Sequence, residues 1–139
     1  MINRRALVVD DDDSTRFVLS RALAGLGFHV SAAPDGADVP DLVWQHRFDL
    51  LVVDLYMPGM NGFELLRQIR KLDPRLLPAP RTSAAVRVLV VSGEGNPASI
   101  ANAKALGADA YLVKPVDVDE FGDTVRQLLQ ADGTAAPAF

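Results

Sequence analysis

Five side chains in this sequence would do chemistry only if the fold gathered them: Asp10, Asp11, Asp54, Ser92 and Lys114. Three carboxylates crowded together repel one another, and without compensation at least one would hold its proton above the usual range. A hard divalent cation removes that conflict. Oxygen-only ligands favour magnesium, which keeps several waters and takes one or two carboxylates. The lysine adds a positive charge and the serine a hydroxyl donor. Together they suit a phosphoryl group carrying negatively charged oxygens in transit. A carboxylate can itself be the nucleophile, giving an aspartyl phosphate. Asp54 is the candidate, because its run lies centrally and Pro58-Gly59 and Asn61-Gly62 break the chain sharply after it.

The elements that must gather these residues can be read from the apolar runs. Ala6-Leu7-Val8-Val9 ends at the aspartates 10–13, Leu50 to Val53 ends at Asp54, and Val86 to Val91 ends at Ser92. Ala110 to Val113 ends at Lys114-Pro115, and a weaker strand spans Phe28 to Ala33. Continuous apolar runs of this kind are strands buried on both faces. Between them lie helical patterns. Leu19, Ala22, Leu23 and Leu26 share one face of a helix that Asp12 or Asp13 caps and Gly27 closes. A second helix is predicted over 37–46, with Pro40 inside it. A third covers 62–72, with Phe63, Leu66, Ile69 and Leu72 mostly on one face. Asn96 caps a fourth, alanine-rich helix whose first residue is Pro97. Asp117 opens a fifth, with the stripe Phe121, Val125, Leu128 and Leu129. Residues 73–85 carry Pro74, Pro78 and Pro80 and are expected to be loop. Five strands alternating with five helices imply an α/β fold: a parallel sheet, helices on both faces and right-handed crossovers. The polar strand ends then lie along one edge, where ligands of such sheets bind.

Composition removes several alternatives. A chain of 139 residues suits one domain, and no internal repeat divides it. Without cysteine there are no disulfides or thiolate metal sites, and the two histidines, His29 and His46, make no histidine-rich zinc site. They are read as surface or helix-end residues, and Trp44 as core. The net charge of −4 and the lack of any Lys/Arg run give no reason to expect nucleic acid as a direct partner. The apolar run after Arg4 and Arg5 is too short for a signal peptide or membrane span, so a cytoplasmic protein is expected.

The motifs Leu7-Val8-Val9-Asp10-Asp11, Asp54 with Met57-Pro58 and Asn61-Gly62, Val90-Val91-Ser92-Gly93, and Lys114-Pro115 resemble, in order and spacing, those of response-regulator receiver domains of two-component signalling. The likeness, closest in type to chemotaxis regulators, spans residues 6 to about 130. It implies a flavodoxin-like (βα)5 doubly wound sheet of strand order 2-1-3-4-5. It also implies a receiver over 1–131, a flexible tail over 132–139, and no output domain within this sequence. Asp54 would take a phosphoryl group from a sensor histidine kinase or histidine phosphotransfer protein. Magnesium would be held by Asp11 directly, by Asp10 mainly through water, by Asp54 and by the backbone carbonyl of Tyr56. Lys114 would pair with the phosphoryl oxygens. Ser92 would move toward them and let Tyr111 swing inward, switching the face of the fourth helix, fifth strand and fifth helix toward a downstream protein target or output domain. The kinase would dock around the first helix, near Thr15 and Val18. Tyr56 and Glu94, two residues after Asp54 and Ser92, would flank the path of the hydrolytic water, with the bulky Tyr56 hindering it.

Gly93, Val116, Asp13 and the long loop over 73–85 depart from the usual receiver pattern without touching the phosphorylation chemistry. Two other readings share these residues: a magnesium-dependent phosphohydrolase with an aspartyl-phosphate intermediate, and a binding module of the same fold that is never phosphorylated. A nucleotide or flavin site is disfavoured, because the loop after the first strand has four aspartates and no glycine.

Overall fold

The computed structural model describes residues 3–130, so the tail expected over 132–139 lies outside the described residues. The strands are β1 (Arg4–Val9), β2 (Phe28–Ala33), β3 (Leu50–Val53), β4 (Tyr56–Met57), β5 (Met60–Asn61), β6 (Arg87–Ser92) and β7 (Ala110–Val113). The helices are α1 (Asp13–Gly25), α2 (Val39–Gln45), α3 (Gly62–Arg70), α4 (Pro97–Ala105) and α5 (Val118–Gln130). Five strands form one parallel sheet of order β2-β1-β3-β6-β7, which is the expected 2-1-3-4-5 of the alternating core.

Alternation along the buried strands divides the core into two layers. Leu7, Val9, Leu51, Val53, Val88 and Val90 face α2 and α3, where they meet Val39, Val43, Leu65, Leu66 and Ile69. Ala6, Val8, Leu50, Val52, Leu89 and Val91 face α1 and α5, meeting Leu19, Leu23, Phe121, Val125, Leu128 and Leu129. The apolar faces expected of α1 and α5 are the ones buried. In α3 the buried stripe is Leu65, Leu66 and Ile69. Phe63 is only half-buried, because it lies at the helix start beside the site, and the helix stops at Arg70 rather than 72.

Helix α2 begins at Val39, later than Ala37. Asp35 draws the Ala37 N–H into a turn at 2.8 Å, and Pro40, lacking an N–H, sits in the first helical turn. The sharp break expected after Asp54 is a small antiparallel hairpin rather than an irregular loop. Its turn is Pro58-Gly59, with Gly59 at φ 74°, where proline and glycine fit the two central positions. Trp44 is half-buried rather than core. Its indole N–H donates to the Pro78 carbonyl at 3.0 Å and ties residues 73–85, which hold no regular element, to α2. Thr82, 1% exposed, completes that tie: its hydroxyl donates to His46 O at 2.6 Å and accepts from Phe48 N at 3.1 Å.

Candidate functional site

The strand register brings the polar ends together. Val9 is level with Val53, so Asp10 and Asp54, one residue on, are neighbours; Asp54 N donates to Val9 O at 3.0 Å. Ser92 is level with Val113, so Lys114 follows directly, its N–H on Ser92 O at 2.8 Å. Side-chain parity then sorts the groups. Asp10, Asp54 and Lys114 continue the residues that face α1 and α5. Ser92 and Tyr111 continue the opposite set, toward α3 and α4.

Asp10 and Asp54 are almost fully buried, 1% and 6% exposed, and Lys114 is shared between them. Its ammonium lies 2.9 Å from Asp10 Oδ2 and 3.0 Å from Asp54 Oδ2. The remaining carboxylate oxygens accept backbone N–H groups, Asp10 Oδ1 from Asp12 at 2.9 Å and Asp54 Oδ1 from Tyr56 at 3.1 Å. Burial pushes the Asp10 carboxyl above the ordinary range. The Asp12 N–H and Lys114 oppose that, and the Asp54 charge reinforces it. For Lys114 burial works downward, but its bonds to Asp10 and Asp54 outweigh it and the ammonium is held more firmly than usual. Asp11 is exposed, on the open side. One oxygen each of Asp10, Asp11 and Asp54 fall within 4.8 Å of one another. This oxygen-only donor set, with one face open to solvent, fits a small hard cation that keeps some of its water.

Asp12 rather than Asp13 caps α1, accepting from Thr15 N at 2.8 Å, while Asp13 pairs with Arg16. Val18 and Phe17 stand exposed on α1, and Thr15 is half-buried, its hydroxyl held by Asp12 at 2.6 Å. Ser92 is fully buried, and its Oγ accepts from Glu94 N at 3.2 Å. Tyr111 is partly buried, and its hydroxyl donates to Glu94 O at 2.6 Å; burial pushes that phenol up. The Glu94 carboxylate is turned along its own loop, accepting from Asn96 N at 2.8 Å. Tyr56, half exposed, stacks edge-on against Phe63 with ring centres 6.0 Å apart, and its hydroxyl shares a 2.9 Å hydrogen bond with Ser99 Oγ on α4.

Residues 6–126 match the family model of the response regulator receiver domain. The chain is 31% identical to the sporulation initiation phosphotransferase F of Bacillus subtilis (strain 168) over 129 residues, 93% of this chain and 96% of that protein. It spans only 22%, 16% and 56% of three longer curated relatives. The solved structure of the chemotaxis response regulator CheY4 of Vibrio cholerae superimposes with a TM-score of 0.78 at 29% identity, covering 91% of this chain and 99% of that one. The response regulator TrrA of Thermotoga maritima, solved with magnesium and beryllium fluoride, gives 0.74 at 27% identity over 90% and 98% of the two chains.

Proposed function

The chain belongs to the response regulator receiver domain family, and from that premise we propose that Asp54 accepts a phosphoryl group from the phosphohistidine of a sensor histidine kinase or histidine phosphotransfer protein. An Asp54 carboxylate oxygen forms the bond to phosphorus as the bond from phosphorus to the imidazole nitrogen breaks, and the electron pair leaves with the imidazole. The observation that carries the reading is one lysine held between two buried carboxylates at the mouth of the sheet. In the acceptor step Lys114 exchanges its bond to Asp54 for the incoming phosphoryl oxygens, and stays anchored by Asp10.

Asp10, Asp11, Asp54 and the backbone carbonyl of Tyr56 are the residues that would hold magnesium, which when bound supplies positive charge to the phosphoryl oxygens. The magnesium in the TrrA structure supports magnesium as the cation. Ser92 and Tyr111 would form the switch. Their shared attachment to the Glu94 backbone supports a linked movement, read out by a protein target or an output domain. Residues 1–131 are taken as the receiver unit. It promotes its own phosphorylation and dephosphorylation rather than turning over a small substrate, and Tyr56 slows access of the hydrolytic water. No helix among the described residues is long and apolar enough to cross a membrane, in keeping with cytoplasmic signalling.

The test is incubation with magnesium and acetyl phosphate followed by intact mass. We expect a single phosphoryl adduct that needs magnesium, is lost in hydroxylamine and is absent from Asp54→Asn. Sustained turnover of a generic phosphate ester would instead favour the phosphohydrolase reading. No adduct, together with no binding of beryllofluoride, would reduce the protein to a receiver-like binding module.

A further inference from the structure

Helix α4 is poorly anchored by apolar packing: Ala103 is its one buried residue. Two tyrosine hydroxyls reach the segment instead. Tyr111 holds the Glu94 carbonyl, ahead of the helix, and Tyr56 meets Ser99 in the first turn. The second contact starts at the acceptor. The Tyr56 N–H lies on Asp54 Oδ1, its ring leans edge-on against Phe63 of α3, and its hydroxyl ends on α4. The side chain therefore spans the gap between the end of β3 and the start of α4, with its backbone fixed by the carboxylate and its tip fixed by the helix.

We propose that Ser99 is a positioning residue: by holding the Tyr56 hydroxyl it keeps the ring across the mouth of the acceptor site and ties the position of α4 to the state of Asp54. This rests on Asp54 being the phosphoryl acceptor. A group added to Asp54 alters the carboxylate that the Tyr56 N–H bonds, and the displacement passes along a rigid ring to a helix with little packing to resist it. In the other direction, a ring released from Ser99 uncovers the phosphate to water. The link is separate from the Ser92–Tyr111 pair, because neither residue takes part in it.

The experiment compares wild type, Ser99→Ala, Tyr56→Phe, the double variant and Ser99→Thr. Each is phosphorylated with acetyl phosphate and magnesium, and the decay of the adduct is followed by intact mass. Ser99→Ala and Tyr56→Phe should each shorten the half-life about two- to fivefold, the lower part of the span of one net hydrogen bond, as suits a half-exposed site. The double variant should lose no more than either single one, since both remove the same bond, and Ser99→Thr should restore the lifetime. Hydrogen exchange of the unphosphorylated proteins should show faster exchange in α4 for Ser99→Ala and Tyr56→Phe. Unchanged half-lives, or losses that multiply in the double variant, would overturn the proposal. An absent adduct in wild type, together with no binding of beryllofluoride, would instead bring down the acceptor reading, and α4 exchange in the unphosphorylated proteins would still report whether the bond holds the helix.

Discussion

Lys114→Met removes the only cation between two buried carboxylates while keeping most of the side chain's apolar length. With ligand oxygens of Asp10 and Asp54 no more than 4.8 Å apart, two full charges at an effective dielectric of about 20 repel by roughly 3.5 kcal/mol or more. Lys114 is also the donor to both, so each loses one charged hydrogen bond. The variant can relieve the repulsion by keeping a proton on Asp10, whose carboxyl already titrates high because it is buried. The net cost at neutral pH should therefore be about 2–4 kcal/mol, somewhat below the roughly 3–5 kcal/mol of breaking a buried ion pair from one side, because Asp10 can keep a proton. For a domain of this size that lowers the melting temperature by roughly 6–12 °C.

The pH dependence carries the diagnostic sign. An acid whose folded pKa is raised binds more protons folded than unfolded, so its ionisation costs stability as pH rises through the folded value. Losing Lys114 raises Asp10 further, because a factor that lowers it has gone. The stability gap between wild type and variant should thus narrow as pH falls from about 7.5 toward 5. Magnesium should narrow it as well, by replacing the missing charge. Urea unfolding at both pH values, with and without magnesium, decides the matter. A cost that stays the same across that range, with no response to magnesium, would mean that Lys114 acts through packing and that the electrostatic account of the site is wrong.

Two further predictions concern the frame around the site. Gly62→Ala should destabilise by about 1–3 kcal/mol, because the new methyl carbon would lie 2.5 Å from Leu55 Cα and 2.8 Å from Leu55 O, where backbone has to move; an unshifted urea midpoint would refute the tight approach of α3 to the strand end. Thr82→Val should cost about 1–3 kcal/mol, since a buried hydroxyl that serves both His46 O and Phe48 N is replaced by a methyl; urea unfolding with an unchanged midpoint would show that the proline-rich segment is not held there.

The chemistry of the site was legible because each of its groups closes an apolar run, and a run in a parallel sheet has only one place to end. Asp10, Asp54, Ser92 and Lys114 needed no knowledge of contacts to be put on one edge. Side-chain parity is also written in the sequence: counting in twos from Val8, Val52 and Leu112 sets Asp10, Asp54 and Lys114 on one face and leaves Ser92 with Tyr111 on the other. Trp44 is half-buried rather than core because its apolar bulk carries a polar handle whose partner lies 34 residues away in an irregular loop. The hairpin after Asp54 has strands of two residues, too short for any periodic pattern, although Pro58-Gly59 marked its turn. The bond between Tyr56 and Ser99 joins hydroxyls 43 residues apart on two different elements, and no spacing rule points to it.

These differences in legibility follow a physical division within the molecule. Apolar burial fixes the strands, and with them the carboxylates and the lysine, so that half of the site is rigid and patterned. The other half is held by hydroxyls and backbone polar groups: Ser92 Oγ to Glu94 N–H, Tyr111 hydroxyl to Glu94 O, Tyr56 hydroxyl to Ser99 Oγ. Each such bond is worth about 1 kcal/mol net, against 1.5–3 kcal/mol for burying one large apolar side chain. A few kcal/mol of change at Asp54 could not move β3, whose four residues are all buried. The same change exceeds what any one polar contact gives α4. Among the described helices α4 has the fewest buried residues, so on the proposed reading it is the element that a change at Asp54 displaces most easily.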